Sequence, residues 1–96
     1  MLLELNTHFD ESEKDLLAWY VDFDIKSTVQ TDDLFFDNGE NVTNPRRFID
    51  LEDGDGYYLM EIETELNEWY MGMRDKNFKY AFWGPYRDLE TALKSL

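Results

Sequence analysis

Carboxylates dominate the side chains of this sequence that could do chemistry, since it contains 22 acidic residues, one histidine and no cysteine. The lack of cysteine excludes thiol nucleophiles, thiolate metal sites and a disulfide framework. His8 lies on the polar side of a candidate strand, and neither Ser12 nor Ser27 stands in a recognisable nucleophile motif. Because carboxylates are so abundant, no single pair of them indicates general acid–base catalysis. We therefore expect no enzymatic activity and no cofactor.

Residues 50–56 have the acidic and glycine-rich composition of a calcium-binding loop, but not its spacing. An EF-hand loop has a glycine at its sixth position and oxygen ligands at its first and last positions. With Gly56 as that glycine, the end positions are Leu51 and Ile62, whose side chains carry no oxygen. The segment therefore predicts a turn at Asp53–Gly56, and no metal site is expected.

The acidic side chains are concentrated in one part of the chain and regularly spaced. Residues 1–73 carry 19 acidic and four basic side chains, whereas residues 74–96 carry three acidic and five basic ones. In a strand, Glu61, Glu63 and Glu65 would lie on one face about 6.8 Å apart. Such a row can hold lysine and arginine side chains that otherwise bind phosphates. The predicted partner-binding residues are Asp22, Asp24, Asp32, Asp33, Asp37, Glu40, Glu61, Glu63, Glu65, Tyr20 and Tyr58.

The net charge predicts the class of partner. A charge of −13 exceeds the magnitude of roughly 2–8 that suits the solubility of a small domain, and it costs stability through self-repulsion. We therefore expect a small inhibitor that binds a basic, nucleic-acid-acting protein and blocks its nucleic-acid site. Direct contact with nucleic acid or with a membrane is not expected, because the charge would repel both. An alternative stays open: a non-catalytic structural or interaction domain, monomeric or homodimeric, whose acidity serves solubility.

Length and N-terminal sequence predict one cytoplasmic domain. Ninety-six residues, of which 43% are apolar and 17% aromatic, suffice for one core, so we expect residues 1–96 to form a single domain. Met1–Glu4 lack the basic region and apolar run of a signal peptide. No apolar run approaches the roughly 18–20 residues of a membrane span.

Apolar–polar alternation predicts strands in the first part of the chain. The first is expected at residues 3–9. A long half-buried strand is favoured at residues 17–25, where every odd position is apolar. A helix is the competing interpretation for residues 10–26, because Asp10 is a good N-cap and Glu13 follows three residues later.

The remaining elements complete an α+β pattern. The further predicted strands are Arg46–Leu51, Met60–Leu66, Trp69–Met73 and Phe78–Trp83, and Leu34–Phe36 is expected to form a short strand or an apolar plug within a loop. A helix stays open for residues 57–70, and Gly84-Pro85 is expected to end the last strand. Asp88 is expected to cap a C-terminal helix. The aromatic residues expected in the core are Trp19, Phe23, Trp69, Phe78, Tyr80 and Phe82. The predicted fold is an antiparallel β-sheet of four to six strands with a C-terminal helix packed on one face.

The last third of the chain, Trp69–Leu96, resembles the end of some small bacterial immunity proteins. In these, a strand with a tryptophan and a second strand lead into Gly-Pro and a helix that begins Leu-Glu. The corresponding residues are Trp69, Phe78, Gly84, Pro85, Leu89 and Glu90. In size and charge the whole chain also resembles phage-encoded acidic proteins that mimic DNA and block host defence enzymes. Both resemblances imply a protein that inhibits a nucleic-acid-acting partner.

Overall fold

A six-stranded β-sheet lies between two hydrophobic clusters in the computed structural model, which describes residues 1–52 and 56–96. Its strand order is β2-β5-β6-β7-β8-β4, antiparallel except for the parallel pair β4 and β8, and β1 and β3 form a second, two-stranded sheet. The elements are β1 (Leu2–Glu4), α1 (Glu11–Tyr20), β2 (Phe23–Ile25), β3 (Thr28–Gln30), β4 (Leu34–Phe36), β5 (Pro45–Leu51), β6 (Tyr57–Ile62), β7 (Trp69–Arg74), β8 (Tyr80–Tyr86) and α2 (Leu89–Lys94). The predicted α+β fold with a C-terminal helix is confirmed.

The two faces of the sheet are covered by different parts of the chain. On the helix side, Leu59 and Met71 pack against Leu17 of α1 and Leu93 of α2. On the opposite side, which we call the loop side, the cover includes β3 and the chain around Leu34 and Val42. Successive residues of β6 point to opposite faces of the sheet. Because both faces are covered, Tyr58–Ile62 are all buried, including the acidic residue Glu61.

Helix α1 occupies the region where a long strand was favoured, so that prediction is wrong and the competing helix is correct. The Glu13 N–H donates to Asp10 Oδ1 at 2.8 Å, and the Asp10 N–H donates to Glu13 Oε1 at 3.0 Å. This reciprocal capping box fixes the start of the helix. Leu16, Leu17 and Tyr20 pack inward at helical spacing, which the alternation of odd positions had concealed. Of the predicted strand, only Phe23–Ile25 forms a β-strand.

The strands differ from the predicted ones mainly at their ends. The first strand is shorter than predicted and spans only Leu2–Glu4. Strand β6 spans Tyr57–Ile62, so the strand predicted at Met60–Leu66 is confirmed only over Met60–Ile62; it begins earlier, and the chain turns away after Ile62. Strand β8 continues through Gly84-Pro85 to Tyr86, so these residues do not end it. The turn predicted at Asp53–Gly56 falls mostly outside the described residues.

Two aromatic residues predicted in the core lie at the surface instead. Trp19 is 83% exposed and Phe78 is 66% exposed. Phe78 has a φ of 63° in the turn before β8, and its ring stacks on the Arg74 guanidinium, 5.1 Å from the ring centroid. By contrast, Phe82 is fully buried on the loop side, where its ring lies over Gly72. A β-carbon at Gly72 would come within 2.5 Å of the Phe82 ring.

Helix α2 begins as predicted, with the Thr91 N–H donating to the Asp88 carboxylate at 2.7 Å. Its residues Leu89, Ala92 and Leu93 are buried, while Leu96 beyond its end is exposed. Neither α1 nor α2, the two α-helices of the described residues, has the length and apolar character that a membrane span requires.

Candidate functional site

Three of the predicted acidic residues line one cleft. The cleft lies over the ends of β4, β6 and β8 and has a volume of about 440 Å³, within the range of roughly 300–1,000 Å³ common for binding pockets. We call it the acidic cleft, and its lining residues are Phe36, Asp37, Asn38, Glu40, Asn41, Thr43, Asn44, Ile62, Thr64, Glu65, Tyr70 and Gly84. Asp37, Glu40 and Glu65 supply its charge.

Backbone hydrogen bonds position the wall that carries Asp37 and Glu40. The Asp37 N–H donates to the Phe82 carbonyl at 2.7 Å, and the Phe36 N–H donates to the Glu40 carbonyl at 2.8 Å. The Asn41 side-chain amide donates to the Leu34 carbonyl at 2.8 Å. These bonds hold the loop after β4 against β8, so both carboxylates sit on a chain segment that is tied down at each end.

The opposite wall carries Glu65 and Tyr70. The Tyr70 hydroxyl donates to the Glu65 carboxylate at 3.0 Å, and the Tyr70 ring packs on Phe36 with centroids 5.0 Å apart. Burial and the neighbouring Glu65 carboxylate raise the pKa of Tyr70 to about 12. Tyr70 therefore remains a hydrogen-bond donor at neutral pH, and Glu65 is held at the cleft as an acceptor.

Glu61 is not part of any exposed surface, and its prediction as a partner-binding residue is wrong. It is fully buried, and its carboxylate accepts from Arg47 Nε at 2.7 Å, Arg46 Nη1 at 2.6 Å and the Asn67 N–H at 2.6 Å. Burial alone would raise the pKa of Glu61. The bonds from Arg47, the Asn67 N–H and Arg46 outweigh burial and hold that pKa below its usual value.

Arg47 is the centre of this buried network. Its guanidinium also donates to Glu13 of α1 at 2.9 Å and lies over the rings of Phe9 and Trp69, 4.5 and 4.9 Å from their centroids. Such a stacked, bidentate arrangement suits arginine and not lysine. The network joins α1, β5 and β6, so Glu61 holds the fold together and does not contact a partner.

Tyr58, also predicted to bind a partner, is buried and only 6% exposed. Its ring contacts Phe48 and Tyr80, with centroids 5.7 and 4.9 Å away. Burial raises the pKa of its hydroxyl. Tyr20 is half-buried against the helix-side cluster.

The other predicted acids do not join the acidic cleft. Asp24 accepts from Lys26 at 3.1 Å, Asp32 from the N-terminal ammonium at 2.8 Å and Asp33 from Lys79 at 2.7 Å. Asp22 lines a separate groove near Phe23. Glu63 is exposed just after β6.

Asp37, Glu40 and Glu65 differ from Asp24, Asp32 and Asp33 in that the described part of the chain places no cation beside them. Within residues 1–52 and 56–96, no lysine or arginine nitrogen lies within 4.0 Å of the carboxylates of Asp37, Glu40 or Glu65. This difference cannot be predicted from the spacing of the acidic residues, because it depends on which acid meets which base after folding.

The described part of the chain brings together no group of three acidic or histidine side chains suited to a metal ion. Comparisons with protein-family models, curated proteins and solved structures found no match to this chain.

Proposed function

We propose that the protein is a small acidic inhibitor whose acidic cleft binds a basic, nucleic-acid-acting protein and blocks its nucleic-acid site. The observation that carries the proposal is the set of three carboxylates, Asp37, Glu40 and Glu65, that share one cleft with no cation of the described residues beside them. A lysine or arginine side chain of the partner would supply the missing positive charge.

The chemistry of the cleft supports this kind of ligand. Carboxylates form short, charge-assisted hydrogen bonds with arginine and lysine, the same side chains that hold nucleic-acid phosphates. The rings of Phe36 and Tyr70 at the cleft add apolar surface for the stem of a long basic side chain. A partner whose phosphate-binding residues enter the cleft cannot bind nucleic acid with them at the same time.

The net charge of −13 supports rapid capture of such a partner. Opposite charges steer association, and the rate constant then falls steeply as salt screens them. The inhibited protein could be a toxin nuclease, as in an immunity protein, or a host defence complex. The two versions share the same contact chemistry and differ in the identity of the captured protein.

The test compares two triple variants of equal charge. One is Asp37→Asn, Glu40→Gln and Glu65→Gln in the acidic cleft. The matched control is Asp24→Asn, Asp32→Asn and Asp33→Asn, which alters carboxylates already paired within the chain. Each variant and the unmodified protein are immobilised, exposed to host lysate at low salt and eluted with a salt gradient. A basic protein retained by the unmodified protein is then purified and assayed for nucleic-acid binding or cleavage.

The proposal expects the cleft variant to lose both capture and inhibition, while the control variant keeps them. Equal loss in both variants would mean that net charge alone drives binding and would remove the cleft from the site. An unmodified protein that retains no basic nucleic-acid-acting protein would contradict the proposed function itself.

A second candidate, a homodimeric interaction domain, is favoured by the exposed side chains of Met73 and Phe78, which lie near each other where β7 turns into β8. Apolar side chains in that position are suited to burial against a second copy. Sedimentation at several concentrations separates the two candidates, because a tight dimer supports this one and a monomer contradicts it.

A further inference from the structure

Trp19 is a large aromatic side chain with no packing role in the fold. It lies two residues after Leu17, which is fully buried, so its side chain projects about 200° around the helix from the buried face. It is 83% exposed as a result. Tryptophan on a protein surface is poorly hydrated and is among the residues that contribute most to binding when a partner covers them.

A groove lies where α1 ends and β2 begins, and Ala18, the residue before Trp19 in the helix, lines it. It has a volume of about 360 Å³. Its lining residues are Ala18, Val21, Asp22, Phe23 and Glu52. Ala18, Val21 and Phe23 offer apolar surface, and Asp22 and Glu52 place two carboxylates at it. The Glu52 N–H donates to the Asp22 carbonyl at 2.8 Å, which holds the two acidic residues next to each other. We call these five residues and Trp19 the Trp19 groove.

The electrostatics of the Trp19 groove favour a cation. The C-terminus of a helix carries a partial negative charge, and the last turn of α1 contains no basic residue to offset it. Asp22 and Glu52 add to that charge. The nearest lysine along the chain, Lys26, donates to Asp24 and not to either groove carboxylate. A ligand of the groove should therefore combine an apolar group with a positive charge.

We infer that the Trp19 groove is a docking surface for a segment of a partner protein that presents an apolar side chain next to a lysine or arginine. The apolar side chain would pack in the groove on Val21 and Phe23, and the cation would meet Asp22 and Glu52. Trp19 would contact the same segment from the helix position next to Ala18. A second copy of this chain fits poorly, since each copy carries a charge of −13 and like charges repel.

This surface is distinct from the acidic cleft. The groove adjoins the Leu51 end of β5 through Phe23, which pairs with Leu51, and the cleft adjoins the other end through Ile62, which pairs with Pro45. Seven strand residues separate the two ends by about 20 Å. The groove can therefore bind its segment whether or not the cleft binds a basic protein.

The test uses a defined peptide probe and the indole N–H signals of the protein in a ¹H–¹⁵N NMR spectrum. The probe is an amphipathic peptide of leucine and lysine. One control peptide has glutamate in place of lysine, and another has serine in place of leucine. The chain has three tryptophans, and a Trp19→Phe variant assigns the signal of Trp19. The spectrum is also recorded without peptide over a range of protein concentrations.

The leucine–lysine peptide is expected to shift the Trp19 indole signal and the backbone signals of Val21 and Phe23. Trp19→Ala should weaken its binding on the order of tenfold or more, the size of effect that hot-spot residues produce. Asp22→Asn with Glu52→Gln should weaken it less, and neither control peptide should match it. The neutralised acidic-cleft variant should bind the peptide as the unmodified protein does, which separates this result from the proposed function.

Trp19→Ala is a sound test because alanine is a strong helix former and the indole contributes little to the fold, so unchanged thermal unfolding is expected. Four results would overturn the inference: equal binding of either control peptide, unchanged affinity in Trp19→Ala, shifts confined to the acidic cleft, or a concentration-dependent Trp19 shift without peptide. The last of these would assign the surface to a second copy of the chain.

Discussion

Substitution of Glu61 should damage the fold, although an acidic residue in a highly acidic chain is ordinarily dispensable. Glu61→Gln removes the negative charge and keeps the shape of the side chain. The Arg47 guanidinium, only 4% exposed, would then lose its main counter-charge. Leaving one member of a buried ion pair without its partner typically costs about 3–5 kcal/mol.

That cost is large compared with the whole stability of a domain of this size. Native domains are stable by about 5–15 kcal/mol, so Glu61→Gln should remove a large fraction of the free energy of unfolding. Glu61→Lys should be worse, because its ammonium would meet Arg46 and Arg47 together. Exposed Glu63 provides the matched control, since Glu63→Gln changes the same charge two residues further along the chain and should shift stability by less than about 0.5 kcal/mol.

Urea unfolding followed by tryptophan fluorescence measures the difference. Trp69 is buried beside Arg47 and reports on the core. The pH dependence gives a second signature, because the pKa of Glu61 is lower in the folded state than its usual value of 4.5. The stabilisation it supplies is complete above that usual value and is lost as the pH falls through the folded-state pKa. Glu61→Gln should lack this part of the acid sensitivity.

A loss of less than about 1 kcal/mol in Glu61→Gln, or a loss equal to that of Glu63→Gln, would refute the reasoning. Either result would mean that the network contributes no more than a pair of exposed charges.

Three further predictions concern the cleft, the sheet and the first helix. Tyrosinate absorbance should show Tyr70 titrating near its raised pKa of about 12, and Glu65→Gln should lower that pKa. Because the folded state holds this proton more tightly than the unfolded state, the stability that the proton supplies is fully present below pH 10 and is lost between pH 10 and 12. Gly72→Ala should cost about 1–3 kcal/mol in urea unfolding because of the collision with the Phe82 ring, and Phe82→Leu in the same chain should recover part of the loss; no loss in the single variant would contradict this. Asp10→Ala should cost about 1 kcal/mol through loss of the helix cap, and an unchanged thermal midpoint would count against that role.

Elements with local signals could be predicted from the sequence. Helix α2 begins at Asp88 because a capping side chain precedes an apolar stripe, and both features lie within a few residues. Helix α1 carried an equally local signal in Asp10 and Glu13, but a run of alternating apolar residues competed with it. The alternation was misleading because it continued past the end of the helix at Tyr20 into the genuine strand β2.

The positions of the acidic residues could not be predicted in the same way. Glu61, Glu63 and Glu65 share a pattern in the sequence, yet one is buried, one is exposed and one lines the cleft. The difference arises because Arg47 faces Glu61 across two paired strands and the chain turns after Ile62. Burial and pairing of this kind depend on contacts between residues that are far apart in the sequence.

The parallel pairing of β4 with β8 determines when the acidic cleft can form during folding. Leu34 pairs with Tyr80, so most of the chain must be present before the loop after β4 can rest against β8. Loop-closure entropy makes such long-range pairing a late and slow event in folding. During synthesis, the segment that carries Asp37 and Glu40 would emerge from the ribosome before β8 and would not yet be held in place. The acidic cleft would assemble only when β8 has emerged, so partly made chains would lack it.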